Sequence, residues 1–176
     1  MKKLVSFGVF ALILSLGSAS AQIGKVGIGI AGTGQLPIGN FSDHVGVGIG
    51  GLGDVEVGMY PGLALTARSG YLYHFEYRDE TLNQIPVLGG VKFTLPASPI
   101  YVTGELGADF AKAERTSGSF FTSSSTSHYT YFSWDAGVGS AVGPVDLRLT
   151  FDVLDASNLT NSMTLGLTLG FTLWST

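Results

Sequence analysis

The chain has 176 residues, no cysteine and thirteen Asp/Glu against nine Lys/Arg, so it lacks both the basic surplus that nucleic acid demands and any disulfide or thiolate-held metal. Mean hydropathy is +0.35 and only 12% of residues are charged, yet beyond residue 21 no apolar run approaches the roughly 20 residues of a spanning helix. An apolar chain without such helices points to strands.

The first element is an export signal. Lys2 and Lys3 precede an apolar run over residues 4–16, and a small-residue stretch ends in Ala19-Ser20-Ala21. Charge, apolar run and cleavage site stand in the order a secretory signal peptide requires, which predicts residues 1–21 as the signal and cleavage before Gln22. Residues 22–176 then form one domain, and losing Lys2 and Lys3 leaves seven basic against thirteen acidic residues.

Period-two alternation follows over residues 25–36, 44–60, 63–77, 82–95, 100–114, 127–142, 145–154 and 162–174, predicting eight strands. Strands of this length, tilted near 40°, cross a hydrocarbon layer of about 30 Å. The connections alternate. Those after the second, fourth and sixth strands are tight and contain Pro61-Gly62, Pro96 with Pro99, and Gly143-Pro144. Those after the first, third, fifth and seventh (residues 37–43, 78–81, 115–126 and 155–161) are polar and mostly longer. Short periplasmic turns alternating with longer outer loops are the pattern of an all-β, eight-stranded antiparallel up-and-down transmembrane barrel.

Parity carries the argument further. In the seventh strand Val145, Leu147, Leu149, Phe151 and Val153 share one face, and Asp146, Arg148, Thr150 and Asp152 share the other. In the eighth, Met163, Leu165, Leu167, Leu169, Phe171 and Leu173 oppose Ser162, Thr164, Gly166, Thr168, Gly170 and Thr172. Mid-strand charges keep to the polar parity, as a bilayer selects when a midplane charge facing lipid costs about 2–4 kcal/mol. A soluble barrel or sandwich, with apolar side inward, is the competing reading. Against it stand the loop alternation and the glycines on the polar face, among them Gly27, Gly29, Gly46, Gly48, Gly50, Gly137 and Gly139. Glycine weakens a strand, but in a narrow lumen it leaves room for Arg68, Tyr129, Tyr131 and Arg148.

The segment Gln84-Ile85-Pro86-Val87-Leu88-Gly89-Gly90-Val91-Lys92-Phe93, followed after a turn by Tyr101-Val102-Thr103-Gly104-Glu105-Leu106-Gly107, resembles the central strand pair of small outer-membrane barrel proteins of OmpX/OmpA type. The last strand, through Thr164, Gly166, Leu169 and Phe171, is similar to that family's assembly signal. In many members an aromatic residue ends the chain, whereas here Thr172, Leu173, Trp174, Ser175 and Thr176 follow Phe171. The resemblance implies the outer membrane as location, with its lipid and the barrel-assembly machinery as partners.

Inside the barrel, Arg68, Lys92 and Arg148 are expected to pair with Glu105, Asp109, Asp135 and Asp146 as a plug, since buried charges without partners are costly. Read as a pore, the same residues would line a channel. His44, His74 and His128 all fall near the loop ends, but no HExxH, GxSxG or paired metal-ligand spacing accompanies them. Phe120 and Phe121, in a Ser/Thr-rich loop, are candidates for contact with an extracellular partner. The expectation is a non-enzymatic outer-membrane barrel without cofactor, acting structurally or through its outer loops. The alternative is a small porin-like barrel for small or apolar solutes, and a rim enzyme comes third.

Overall fold

The computed structural model describes residues 23–43, 45–77, 80–116, 124–159 and 162–176. They form β1 (Val26–Ile38), β2 (Gly48–Tyr60), β3 (Leu63–Tyr77), β4 (Glu80–Thr94), β5 (Ile100–Thr116), β6 (Ser124–Val142), β7 (Val145–Val153) and β8 (Met163–Ser175), with one 3-10 turn, Gly39–Asp43, after β1. Each strand pairs antiparallel with the next and β8 pairs with β1, closing the sheet into a barrel. The expected signal segment lies outside the described residues.

The stagger of this closure sets the width of the lumen. Paired residues can be followed once round the barrel from Ile28 through Val55, Ala67, Gly89, Leu106, Trp134, Val153 and Met163. The path returns to β1 at Ile38, ten residues beyond its start. Such a shear tilts the strands by the ~35–45° typical of closed barrels, and eight strands leave an interior just wide enough for side chains.

Several boundaries differ from the sequence expectation. The third outer connection is much shorter, because β5 and β6 stay paired as far as Thr116 and Ser124. Residues 45–47, expected in strand, lie outside β2, although Phe75 N still donates to Val47 O at 3.0 Å. Pro86 lies inside β4, opposite Asp109 of β5. Proline has no N–H for a ladder, and the β3–β4 register accordingly skips from Ser69↔Val87 to Leu72↔Gln84. The barrel therefore tolerates Pro86 by leaving its β3 side unpaired for two residues.

The two faces have inverted chemistry. Outside, Ile30, Leu65, Val87, Val91, Leu106, Leu147, Leu149, Leu167 and Leu169 are exposed from every side of the barrel, while Arg68, Lys92, Glu105, Asp109, Asp135 and Arg148 are buried within. A soluble barrel would reverse this, because apolar surface leaves water and charge seeks it. Exposed Tyr71, Tyr73, Phe75, Phe110 and Phe132 ring the loop end, and Tyr60, Phe93, Phe171 and Trp174 the turn end, matching two interfacial girdles. The lumen is not wholly polar: Leu52, Leu72 and Leu88 also point inward and are buried.

Candidate functional site

The lumen is closed by one connected network. Arg68 on β3 places Nη2 2.7 Å from Glu105 Oε2 on β5 and also pairs with Asp135 on β6. The other oxygen of Glu105 accepts from Thr66 Oγ1 at 2.8 Å and lies 3.5 Å from Arg148 Nη1 on β7. Arg148 links this group to a second one toward the turn end. Its Nε donates to the Tyr101 hydroxyl at 3.2 Å, which in turn donates to Asp146 Oδ1 at 2.6 Å. Lys92 lies over the Tyr101 ring with Nζ 4.3 Å from the centroid, bonds Glu56 Oε2 at 2.8 Å and reaches Asp146 Oδ2 at 3.9 Å. Six strands thus contribute, so the network ties opposite walls of the barrel together.

Little space remains around it. A cavity of about 30 Å³ lies on the loop side of Arg68, and one of about 40 Å³ lies toward the turns among Gly29, Asp54, Lys92 and Arg148. Such volumes hold a water or two. Beyond Lys92 the lumen widens into a mouth of about 390 Å³, bordered by Lys25, Glu56, Asp146 and Trp174. Asp152, on the loop side, accepts from Thr150 Oγ1 at 2.9 Å and from Thr164 Oγ1 at 3.4 Å.

The expected cluster is brought together except for Asp109, which makes no ion pair among the described residues. Its cross-strand partners are Pro86 of β4 and Tyr131 of β6, and the guanidinium groups lie nearer the turns. Glu56, Thr66 and Tyr101 also belong to the network, beyond the seven residues of the expected plug. Their inward parity was legible, but which residues meet across the lumen was not. The room left by glycine lies partly beside Arg68 and Arg148, in the cavity that Gly29 and Gly170 border, and partly elsewhere. A Cβ on Gly48 would come within 2.6 Å of His74 Nε2, and Gly139 lies against the Tyr101 ring. Tyr129 and Tyr131 instead stack on each other, centroids 5.7 Å apart.

The histidines do not assemble. His74 is fully buried above Gly48, His128 is exposed near the outer end of β6, and His44 lies outside the described residues. Among the described residues no group of three or more His, Asp or Glu is placed to hold a metal. In β8, Thr164 and Gly166 face the lumen while Leu169 and Phe171 are exposed on the outer face. The strand runs on so that Trp174 pairs with Ile28 and Ser175 with Gly27. Phe120 and Phe121 lie outside the described residues.

No protein-family model and no curated protein matches the chain. Solved structures do. Ail, the attachment invasion locus protein of Yersinia pestis, superposes with a TM-score of 0.65 at 16% identity, over 88% of this chain and all of Ail. The N-terminal β-barrel domain of Pseudomonas aeruginosa OprF gives 0.56 at 14% identity over 86% of this chain and 98% of its own. Neisserial surface protein A gives 0.50 at 17% identity, over 83% and 93%. The chain has the fold of the small eight-stranded outer-membrane barrels of OmpX/OmpA type.

Proposed function

We propose that this chain is exported by its N-terminal signal and inserted in a bacterial outer membrane, where it is a non-enzymatic, closed barrel whose role is structural or vested in surface contacts of its outer loops. The observation that carries this reading is the inverted barrel: apolar residues exposed all round, and a lumen narrowed to cavities of about 30 and 40 Å³ on either side of the Arg68–Glu105–Asp135–Arg148 network. Thr164, Gly166, Leu169 and Phe171 serve in it as the assembly signal, presenting a small polar lumen face and an apolar lipid face to the insertion machinery.

Charge at the outer end narrows the choice of partner. Ail has been crystallised with a heparin analogue, sucrose octasulfate. The outer ends and loops of this chain carry Arg78, Lys112 and Arg115 against Asp43, Glu76, Asp79, Glu80, Glu114 and Asp155. An acidic rim repels a polysulfate, so the surface partner proposed here is neutral or cationic, with Phe120 and Phe121 as apolar contact points.

Two measurements test the reading. Expressed with its signal, the chain should fractionate with the outer membrane, require detergent for extraction and show a heat-dependent mobility shift on gels; a folded, detergent-free monomer in the periplasm would refute it. In planar bilayers the closed lumen should carry no steady current. A stable, solute-sensitive conductance would favour the transport barrel instead.

A further inference from the structure

Unequal strand lengths leave one edge of the barrel open at its outer end. β6 has 19 residues and β7 only 9, and their pairing begins at Trp134↔Val153. Ala156 N donates to Phe132 O at 2.9 Å, which ties the start of the β7–β8 loop to β6. Backbone groups of a strand alternate between its two sides, so Thr130 and His128 point theirs the same way as Phe132. Beyond that bond they have no backbone partner on this side among the described residues. The opposite side of β6 is paired with β5 out to Ser124 without a bulge, and β4 covers β5 in turn as far as Arg115. The free edge thus runs over residues 124–131.

This edge lacks the devices that blunt sheet edges elsewhere. It reads Ser124-Ser125-Thr126-Ser127-His128-Tyr129-Thr130-Tyr131, with no lysine, proline, glycine or acidic residue. The groups beside it suit a basic partner. Tyr129 and Tyr131 share the inner face and stack with centroids 5.7 Å apart and planes within 16°, and Tyr129 is 46% exposed. A cation within about 6 Å of such a ring face is attracted to it. Asp155 heads the loop that the Ala156 bond holds against β6. Cations of the rim stand elsewhere: Lys112 has the outward parity of Phe110, opposite His128, and Arg115 is matched in register by Glu80.

We propose that the outer edge of β6 docks an extended, basic segment of another protein. The segment adds to the sheet as a strand beside Thr130 and His128 and sets an arginine or lysine against Tyr129, Tyr131 and Asp155. Main-chain bonds to the edge supply affinity, and alternate side chains supply the choice of sequence. This site rests on the surface-contact role proposed above and specifies the conformation and charge of the partner. A second copy of the chain fits less well. In one membrane a two-fold axis along the normal makes two strands tilted by ~40° cross at about 80°, which no ladder accepts.

The test uses the barrel refolded in zwitterionic micelles, its fold checked by the heat-dependent gel shift, and fluorescence anisotropy of a labelled synthetic peptide of alternating valine and arginine. The peptide should bind saturably. Its fully N-methylated analogue, which has no N–H to give the edge, and its glutamate-for-arginine analogue should each bind at least about tenfold more weakly. On the barrel, His128→Pro removes an N–H of the free edge, where proline is tolerated, and should weaken binding roughly tenfold. His128→Ala should stay within about twofold, and Tyr129→Ala should lose about twofold to fivefold. No saturable binding by the folded barrel, equal binding of the N-methylated peptide, or equal losses in His128→Pro and His128→Ala would overturn the proposal. So would dimerisation that the peptide does not reverse, which gives the edge to a second copy. If His128→Pro does not fold, the N-methylated peptide decides alone. A chain that does not fractionate with the outer membrane sinks the surface role, whereas one that does and binds no peptide sinks only the docking site.

Discussion

Replacing Arg68 by Met tests whether the network holds the barrel together or merely fills it. Methionine keeps much of the volume and removes the charge that Glu105 and Asp135 share. Glu105 would retain Thr66 at 2.8 Å and Arg148 at 3.5 Å, whereas Asp135 has no other ion-pair partner among the described residues. Removing one member of a buried pair costs about 3–5 kcal/mol because the other charge is stranded. With Arg148 partly compensating, about 3 kcal/mol is the better figure here. At roughly 2–4 °C per kcal/mol for a domain of this size, the apparent melting temperature should fall by about 6–12 °C. Following the heat-dependent gel shift of the refolded barrel across temperature measures this directly. The triple variant Arg68→Met, Glu105→Gln, Asp135→Asn removes the stranded charges as well and should recover most of the loss. A single variant within about 2 °C of the parent, or a triple variant no better than the single, would refute the argument that these charges are desolvated and interdependent.

Other substitutions probe the two faces separately. Leu149→Arg places a charge on the lipid side of β7 and should cost about 2–4 kcal/mol in urea-unfolding experiments on the bilayer-refolded protein. Thr150→Val, one residue on, loses only the bond to Asp152 and should cost about 1 kcal/mol; Thr150→Arg has no room beside a 30 Å³ cavity and should prevent folding. Gly48→Ala drives a methyl into the fully buried His74 ring and should destabilise by about 1–3 kcal/mol. Gly104→Ala, where nothing lies within 4 Å of the added carbon, should be neutral or stabilising by up to about 1 kcal/mol in the same assay. Tyr101→Phe keeps the ring beneath Lys92 but cuts the bridge between Arg148 and Asp146, with an expected loss of about 1–3 kcal/mol.

What the sequence reveals and conceals here has a geometric reason. Period-two alternation gives each residue's face, so the inward set around Arg68, Glu105 and Arg148 was legible without a structure. Height along the axis is a different matter. It depends on the register of all eight pairings, and a stagger of ten residues accumulated round the barrel moves partners several turns of pleat apart. That is why Asp109, inward by parity as expected, has no ion pair with Arg68, Lys92 or Arg148. The contact between Gly48 and His74 needs only the register of β2 against β3, which alternation by itself does not give. Pro86 misled less than the rule against proline in central strands would imply, because the surrounding alternation outweighed one missing ladder bond.

The lumen charges have a consequence for folding that does not depend on what the ion pairs contribute net, which for buried pairs is often near zero. Side chains alternate strictly, so slipping one strand by a single residue against its neighbours exchanges its two faces. For β7 that slip would turn Asp146, Arg148 and Asp152 toward lipid and draw Leu147, Leu149 and Phe151 inward. At about 2–4 kcal/mol for a basic residue at the midplane, and less for acidic ones, the penalty for β7 alone reaches several kcal/mol. That is comparable to the whole stability of an ordinary domain of about 5–15 kcal/mol. The charged interior therefore fixes the register, and with it the stagger of ten that closes the barrel around a nearly filled lumen. A lumen constrained in this way has little freedom left to evolve a solute path, whereas the outer connections can vary without disturbing a single strand pairing.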